Sequence, residues 1–405
     1  MSSLSTGAAV TALTPEARLL LACARAEADA AQRATIRALL RAEIRWTQVI
    51  ALAQQHRLLP LLSHQLQTLG ADAVPQPVLD QLRQQAALSA RHSLFLTGEL
   101  LKLLDRFSAH SIEAITLKGP VLATVAYGNL ALRQFDDLDV LVRTRDMLRA
   151  RDLLIAQGFE PLVQLTERQT ASYLRSQYVY PLVSADGSTI VELHHDIRPR
   201  YFAFHVDPDR LWRRLEPLTL GGRAVLNLAP EDLLLLLCVH GANHCWERVA
   251  WICDVAELLR ARPGLDWNRV LREARSSGAQ RMLLLGLLLA RDLLGAVLPD
   301  QVAGWIAADA ALPSLARDVT AWLFRDAAPP LTVSTRAGFH LRVRERLRDR
   351  VQYCVYLLTS PTEEDWTVQP LPAALSFLYA LCRPLKLLGR YGMRPLKDLI
   401  GRQDY

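Results

Sequence analysis

The sequence has few cysteines and no closely spaced pair of them. Its six cysteines are scattered over 405 residues, and none belongs to a Cys-x-x-Cys motif. A zinc ribbon or a thioredoxin-like redox site is therefore not expected. Because scattered thiols without a pairing pattern are typical of a reducing compartment, we predict a cytoplasmic protein with reduced cysteines.

A targeting signal and long hydrophobic runs are missing as well. No Lys or Arg precedes the first apolar stretch, whereas a secretory signal starts with positive charge. Leu233–Leu237 is too short to span a bilayer, and Met282–Leu298 is interrupted by Arg291 and Asp292. These features predict a soluble protein with no transmembrane segment.

The overall composition is that of a globular protein with a surplus of positive charge. Hydrophobic residues make up 51% of the chain and charged residues 22%, which excludes a mainly disordered or collagen-like chain. A chain of 405 residues holds about two to three structural units. The net charge of +6 favours anionic partners, such as nucleotides, without identifying one.

The pattern along the chain predicts an α+β fold in three regions. Residues 1–110 form an N-terminal helical region, because good helix formers dominate and apolar positions recur at helical spacing. Residues 111–228 form an α+β core, and residues 229–405 a C-terminal helical domain that begins at Pro230. The Arg-rich stretch Arg342–Arg350 reads as one amphipathic helix, since Val343, Leu347 and Val351 recur every fourth residue.

The core is expected to hold a small mixed β-sheet. Ile112–Leu117 and Asp137–Val142 have strand character, and Val121–Tyr127 between them fits a helix. Tyr178–Val183 and Thr189–His194 read as two strands that are joined by a turn at Asp186-Gly187.

Three carboxylates of this core form the most informative pattern. Asp137 and Asp139 lie two positions apart on a strand, so their side chains point to the same face while Leu138 points into a core. Two acids on one face of a buried strand repel each other unless a cation lies between them. Glu192, on a later strand, can complete a site for two Mg²⁺ ions. The alternatives are a solvated edge strand for the aspartates and a surface position for Glu192.

The segment Leu117–Val142 resembles the DNA polymerase β-type nucleotidyltransferase superfamily. The wider set of motifs, over about residues 110–260, resembles a bacterial family usually labelled uncharacterised nucleotidyltransferase. The matching pieces are Leu117-Lys118-Gly119, Leu122-Ala123, Tyr127, Arg133, Asp137-Leu138-Asp139-Val140-Leu141-Val142, Gly158-Phe159, Val191-Glu192-Leu193-His194, Pro230-Glu231-Asp232, His240-Gly241 and His244-Cys245-Trp246.

The resemblance implies Mg²⁺-dependent transfer of a nucleoside monophosphate from a nucleoside triphosphate, with ATP as the expected donor. Asp137 and Asp139 would hold two Mg²⁺ ions. Glu192 would complete the metal site on the acceptor side and accept the proton of the attacking hydroxyl group.

Phosphate contacts are expected from Lys118, Gly119 and Arg133. His194 shares the face of Glu192 and is expected to orient a carboxylate or a phosphate, or to be a structural histidine. The wider superfamily has Gly-Ser after the first strand, whereas this chain has Gly119-Pro120. Lys118 and the N–H groups that open the following helix can contact phosphate in place of the serine.

A histidine cluster follows at His240 and His244, which are one helical turn apart. Three interpretations remain open for this pair. The histidines can hold a metal together with Asp254, they can pack structurally beside Trp246 and Trp251, or they can line the pocket of the acceptor. The Glu of the His-Glu-x-x-His zinc motif is absent.

The acceptor is expected to be a small molecule, a peptide or a saccharide. The family resemblance implies a role in peptide or polysaccharide biosynthesis. A nucleic acid is less favoured, because the basic stretches have little aromatic interleaving. Two other functions remain open at this stage. One is a non-catalytic nucleotide-binding or scaffold protein of the same fold, and the other is a metal-dependent hydrolase built on His240, His244 and Asp254.

Overall fold

The structure is a computed structural model that describes residues 13–69, 72–166, 169–170, 173–174, 177–197, 207–325 and 330–359. The helices of these residues are α1 (Pro15–Cys23), α2 (Ala30–Leu39), α3 (Trp46–Gln55), α4 (Leu59–Leu69), α5 (Gln76–Ala109), α6 (Gly119–Tyr127), α7 (Met147–Ala156), α8 (Pro208–Arg213), α9 (Pro230–Asn243), α10 (Val249–Ala261), α11 (Trp267–Ser277), α12 (Gln280–Leu294), α13 (Asp300–Ala307), α14 (Leu312–Leu323), α15 (Val333–Val343) and α16 (Leu347–Thr359). The strands are β1 (Ala114–Thr116), β2 (Asp137–Val142), β3 (Phe159–Pro161), β4 (Val179–Ser184), β5 (Ile190–His194), β6 (Glu216–Leu220) and β7 (Arg223–Asn227).

The strands form a mixed five-stranded sheet and a separate hairpin, which confirms the α+β class. The order in the larger sheet is β1-β2-β5-β4-β3. Strand β2 runs antiparallel to β1 and parallel to β5, while β4 is antiparallel to both β5 and β3. Strands β6 and β7 pair with each other. The predicted β4–β5 hairpin is confirmed, whereas β3, β6 and β7 were not predicted.

The N-terminal region is helical as predicted, from α1 through the long helix α5. Thr14 caps α1, since its hydroxyl accepts a hydrogen bond from the amide of Ala17, and Pro15 occupies the first helical position. Helix α5 packs against β1 and β2 and ties this region to the sheet. One hydrophobic core runs without a break from Leu19 through the sheet to Val343.

The predicted single helix over Arg342–Arg350 is wrong. Helix α15 ends at Val343 and helix α16 begins at Leu347. The chain breaks there because Arg344 turns inward: its guanidinium lies 4.3 Å from the ring centre of Tyr353 and donates a hydrogen bond to the carbonyl of His340. Leu347 is consequently 74% exposed rather than part of a buried stripe. Part of the predicted C-terminal domain, 360–405, lies outside the described residues.

Among the described residues, no helix is both long enough and apolar enough to cross a bilayer.

Trp246 lies at a close contact between α9 and α12. Its side chain is fully buried, and its backbone and that of Cys245 adopt left-handed conformations directly after α9. A Cβ atom on Gly241 would lie 2.4 Å from the Trp246 ring, and one on Gly286 would lie 2.6 Å from the Cys238 sulfur. Both glycines are therefore required by the space that their neighbours occupy.

Replacing Gly241 with Ala should destabilise the fold by about 1–3 kcal/mol, because the added methyl group forces the Trp246 ring out of position. Urea unfolding followed by circular dichroism measures the change. Gly304→Ala is the matched control, since Gly304 is also helical and has no atom within 4 Å of the position that a Cβ would take. The control should be neutral or stabilising by up to about 1 kcal/mol. Equal stability of the two variants would contradict this role of Gly241.

Candidate active site

A cavity of about 310 Å³ opens beside β2 and β5, between the sheet and helices α9 and α10. Side chains from all three regions of the chain line it. Its charged and polar lining consists of Arg57, Lys118, Tyr127, Arg133, Gln134, Asp137, Asp139, Tyr178, Glu192, His194, His240, Asn243, His244, Arg248 and Asp254. The residues predicted for chemistry therefore converge on one cavity.

Strand β2 presents its two aspartates to this cavity. Leu138 and Val140 are fully buried on the opposite face, as the alternation of a strand requires. Asp139 is 3% exposed and Asp137 is half-buried. Asp136 faces elsewhere, as its register predicts: it is exposed, and it forms an ion pair of 2.6 Å with Arg57. The predicted pair is thus on one face, and that face is not a solvated edge.

Glu192 is brought opposite Asp139 by the pairing of β2 with β5. The two residues are direct partners across the parallel strands. One ligand atom from each of Asp139, Glu192 and His194 lies within 4.8 Å of the other two. Asp137 lies outside this three-residue group, although it lines the same cavity. Carboxylate oxygens at this spacing, in a cavity, are suitable donors for a hard divalent cation.

Lys118 supplies a positive charge next to Asp139. Its ammonium group lies 3.1 Å from Oδ2 of Asp139. It directly precedes α6, whose first residue, Gly119, has a φ of 54° in the left-handed region that favours glycine. The first N–H groups of a helix have no intrahelical acceptor and attract anions. Lys118 and the start of α6 therefore offer positive charge to the same cavity.

His194 links the two acids. Its Nε2 lies 3.2 Å from Oδ1 of Asp139 and 3.5 Å from Oε2 of Glu192. Burial acts to lower the pKa of His194, but the hydrogen bonds to Asp139 and Glu192 outweigh burial and raise the pKa to about 9. The imidazole is therefore charged at neutral pH, and it orients both carboxylates.

The two aspartates differ in pKa because their surroundings differ. Burial and the negative charge of Asp139 raise the pKa of Asp137 to about 6. Burial would also raise the pKa of Asp139, but the charge of Lys118 and the hydrogen bond from His194 outweigh it and lower the pKa. Asp139 is thus a carboxylate at any physiological pH, while Asp137 takes up a proton in mild acid.

The raised pKa of His194 predicts a pH dependence of stability in the metal-free protein. The charged imidazole stabilises the fold fully below pH 6.5, its ordinary pKa, and this contribution is lost as the pH rises through about 9. Urea unfolding in the presence of a chelator should show a loss of up to about 3 kcal/mol over this range.

His194→Gln should remove this slope, whereas the exposed His64→Gln should keep it. A slope that is the same in wild type and His194→Gln would show that His194 is not charged in the folded protein.

Arg133 is held by an acid from the C-terminal region. Its Nε donates to Oδ1 of Asp254 at 2.8 Å and its Nη2 to Oδ2 at 3.0 Å. The hydroxyl of Tyr127 donates to Oδ1 of Asp254 at 2.8 Å. Tyr127 is thus more than a packing residue, since it fixes this pair. The Nη1 of Arg133 is buried and has no hydrogen-bond partner among the described residues.

The histidines of α9 form one aromatic cluster with Trp251. The ring centres of His240 and His244 are 4.6 Å apart and lie 5.6 and 5.1 Å from that of Trp251. Burial, and then the charge of Lys118, lower the pKa of His244 to about 4 and that of His240 well below its ordinary value. Both imidazoles are therefore neutral in the cavity wall.

A metal centre on His240, His244 and Asp254 has no support in the described part of the chain. These residues do not form a three-ligand group there. Both oxygens of Asp254 accept hydrogen bonds from the Arg133 guanidinium, so the proposed third ligand is already engaged.

Two arginines of the cavity wall were missed by the sequence analysis. Arg57 lies in the turn between α3 and α4, inside a region that has only helical signals. Arg248 directly precedes α10, and its guanidinium lies 5.5 Å from the ring centre of Trp251. One sequence feature could have indicated Arg248: it lies three residues before Trp251 and directly after the histidine cluster.

A family model described as uncharacterised nucleotidyltransferase matches residues 42–295, which is more than half of the chain. The chain belongs to this family. The match begins within the N-terminal helices and ends just after α12, so it includes every described residue that lines the cavity. No curated protein matches the chain significantly. Membership in a nucleotidyltransferase family identifies the chain as a transferase of nucleotidyl groups, with a nucleoside triphosphate as its substrate.

Proposed function

We propose that the protein transfers a nucleoside monophosphate from a nucleoside triphosphate, with ATP as the donor, to a hydroxyl group in a Mg²⁺-dependent reaction. The observation that carries the proposal is the pairing of Asp139 with Glu192 across two parallel strands, with Asp137 on the same cavity wall. Three acids that gather beside a lysine and a helix start form a site for a metal-bound triphosphate.

Asp137, Asp139 and Glu192 are the residues that would hold two Mg²⁺ ions. When bound, the ions would stabilise the charge on the attacking and leaving oxygens. His194 orients Asp139 through a hydrogen bond and Glu192 through an ion pair. Lys118 now neutralises Asp139, and it becomes available to phosphate once a cation takes over that task.

The triphosphate is expected to lie against Lys118 and the start of α6 at Gly119. Arg133 would add a phosphate contact through Nη1, because Asp254 holds its other two nitrogens. Lysine acts on phosphate as a point charge, and arginine acts as a directed donor. Together they replace the serine that the wider superfamily has where this chain has Pro120.

The acceptor would enter along the wall of His240 and His244. Its hydroxyl oxygen attacks the α-phosphorus, the bond from that phosphorus to the bridging oxygen breaks, and pyrophosphate leaves. Glu192 takes the proton of the attacking hydroxyl. Alignment and electrostatic stabilisation supply most of the rate enhancement. A small molecule, a peptide or a saccharide fits a cavity of about 310 Å³ better than a nucleic acid does.

Thermal shift with each nucleoside triphosphate, with and without Mg²⁺, tests the proposal, together with an assay for pyrophosphate release. We expect ATP to stabilise the protein only when Mg²⁺ is present, and Asp137→Asn with Asp139→Asn to remove the effect. ATP binding without pyrophosphate release for any acceptor tested would instead support a non-catalytic nucleotide-binding protein. Stabilisation by Zn²⁺ alone that survives the double Asp change and is lost in His240→Ala would support the hydrolase alternative.

A further inference from the structure

Arg248 is the one cation of the cavity wall that lacks an acidic partner among the described residues. Lys118 is paired with Asp139, Arg133 with Asp254, and Arg57 with Asp136. No carboxylate of the described chain lies within 4.0 Å of the Arg248 guanidinium, and it donates no hydrogen bond there. Its half-buried charge therefore has no ion-pair partner in the part of the chain that the structure describes.

Charges of both signs and the Trp251 ring surround the Arg248 guanidinium. Burial, and then the charge of Arg57, lower the pKa of its guanidinium, while the charges of Asp136, Glu247 and Asp137 act in the opposite direction. Asp136 is already engaged by Arg57 at 2.6 Å and Glu247 by Arg336 at 2.8 Å, so neither acid forms an ion pair with Arg248. An anion that enters at this point gains a charge-assisted contact without displacing an existing ion pair.

Trp251 holds the guanidinium group in place. The Arg248 carbon Cζ lies 5.5 Å from the Trp251 ring centre, which is within the range of a cation–π contact. Trp251 is itself fixed by its ring contacts with His240 and His244. A preorganised, planar guanidinium whose donors have no hydrogen-bond acceptor among the described residues is well suited to bind phosphate through two hydrogen bonds.

We propose that Arg248, with Arg57 beside it, forms an anion subsite that binds a phosphate group of a substrate. The proposal deepens the proposed function and rests on it for the nature of the substrate. The phosphate can come from the triphosphate tail, whose departing pyrophosphate would then be held by a residue of the C-terminal helices. It can equally come from a phosphorylated acceptor, and both sources present the same chemistry to Arg248.

Isothermal titration calorimetry with inorganic pyrophosphate, ATP and AMP, all in the presence of Mg²⁺, tests the subsite. Arg248→Gln should weaken the binding of pyrophosphate and ATP roughly tenfold or more, since a charge-assisted contact is lost, and should leave AMP binding unchanged if the tail is the source. Arg262→Gln is the matched control, because Arg262 flanks the other end of α10, is exposed and lies outside the cavity.

A second arm identifies the other source. With the nucleotide site saturated by a non-hydrolysable ATP analogue, inorganic phosphate is titrated into wild type and Arg248→Gln. Phosphate binding that persists beside the analogue and depends on Arg248 would assign the subsite to an acceptor. Urea unfolding of Arg248→Gln verifies that the variant is folded, and Arg248→Lys, which keeps the charge, should recover part of the affinity.

Equal affinity of wild type and Arg248→Gln for pyrophosphate, ATP and phosphate would overturn the proposal, and so would a wild type that binds none of these anions. The proposed function fails separately. Its failure would appear as anion binding that depends on Arg248 but is accompanied by no Mg²⁺-dependent effect of ATP and no pyrophosphate release.

Discussion

Replacing Asp139 with Asn is expected to lower Mg²⁺-dependent pyrophosphate release on the order of 10³-fold. The carboxylate of Asp139 contacts both Lys118 and His194, and Asp139 lies opposite Glu192 across the paired strands. The amide keeps the shape of the side chain but loses the charge that a divalent cation requires. Release of pyrophosphate from ATP, with water as the acceptor if no other is found, measures the effect.

Asp136→Asn is the matched control for this prediction. Asp136 lies on the same segment only three positions earlier, but it is exposed and outside the cavity. It should retain most of the activity. If both variants lost activity equally, the loss would reflect a general disturbance of β2. Full activity of Asp139→Asn would show that catalysis does not depend on this carboxylate site.

Replacing Asp254 with Ala should destabilise the protein by about 3–5 kcal/mol, because it leaves the buried guanidinium of Arg133 without a counter-charge. Two hydrogen bonds of 2.8 and 3.0 Å are lost at once, together with the acceptor for Tyr127. Urea unfolding measures the loss.

Tyr127→Phe separates the two parts of this network. It removes one hydrogen bond and leaves the Arg133–Asp254 pair intact, so it should cost about 0.5–1.5 kcal/mol. A loss below about 1 kcal/mol in Asp254→Ala would show that Arg133 is hydrated or finds another partner.

Local patterns made β2 and the β4–β5 hairpin predictable. Alternation of Asp137 and Asp139 with fully buried Leu138 and Val140 is a property of six consecutive residues, so periodicity alone places both acids on one face. The missed strands have weaker signals. Strand β3 has three residues and ends in Pro161, which is too short for a period to be visible. The β6–β7 hairpin has a turn signal in its sequence, Gly221-Gly222, which the sequence analysis missed. Both glycines have a positive φ in the structure.

Contacts between distant parts of the chain could not be predicted in the same way. Arg133 and Asp254 are 121 positions apart, and Arg133 follows α6, which packs against the helix α10 that carries Asp254. Because of that contact, Arg133, which was predicted to bind phosphate, is paired with Asp254, which was considered as a metal ligand. The inward turn of Arg344 likewise depends on Tyr353 in the next helix. Side-chain partners that tertiary packing supplies have no periodic signature.

The most direct test of the central claim is the anomalous diffraction of crystals that contain Mn²⁺ and a non-hydrolysable ATP analogue. We expect two manganese peaks about 4 Å apart, bounded by Asp137, Asp139 and Glu192, with the triphosphate against Lys118 and the start of α6. Manganese bound elsewhere, or a nucleotide that occupies the cavity without any ion at these three acids, would contradict the account.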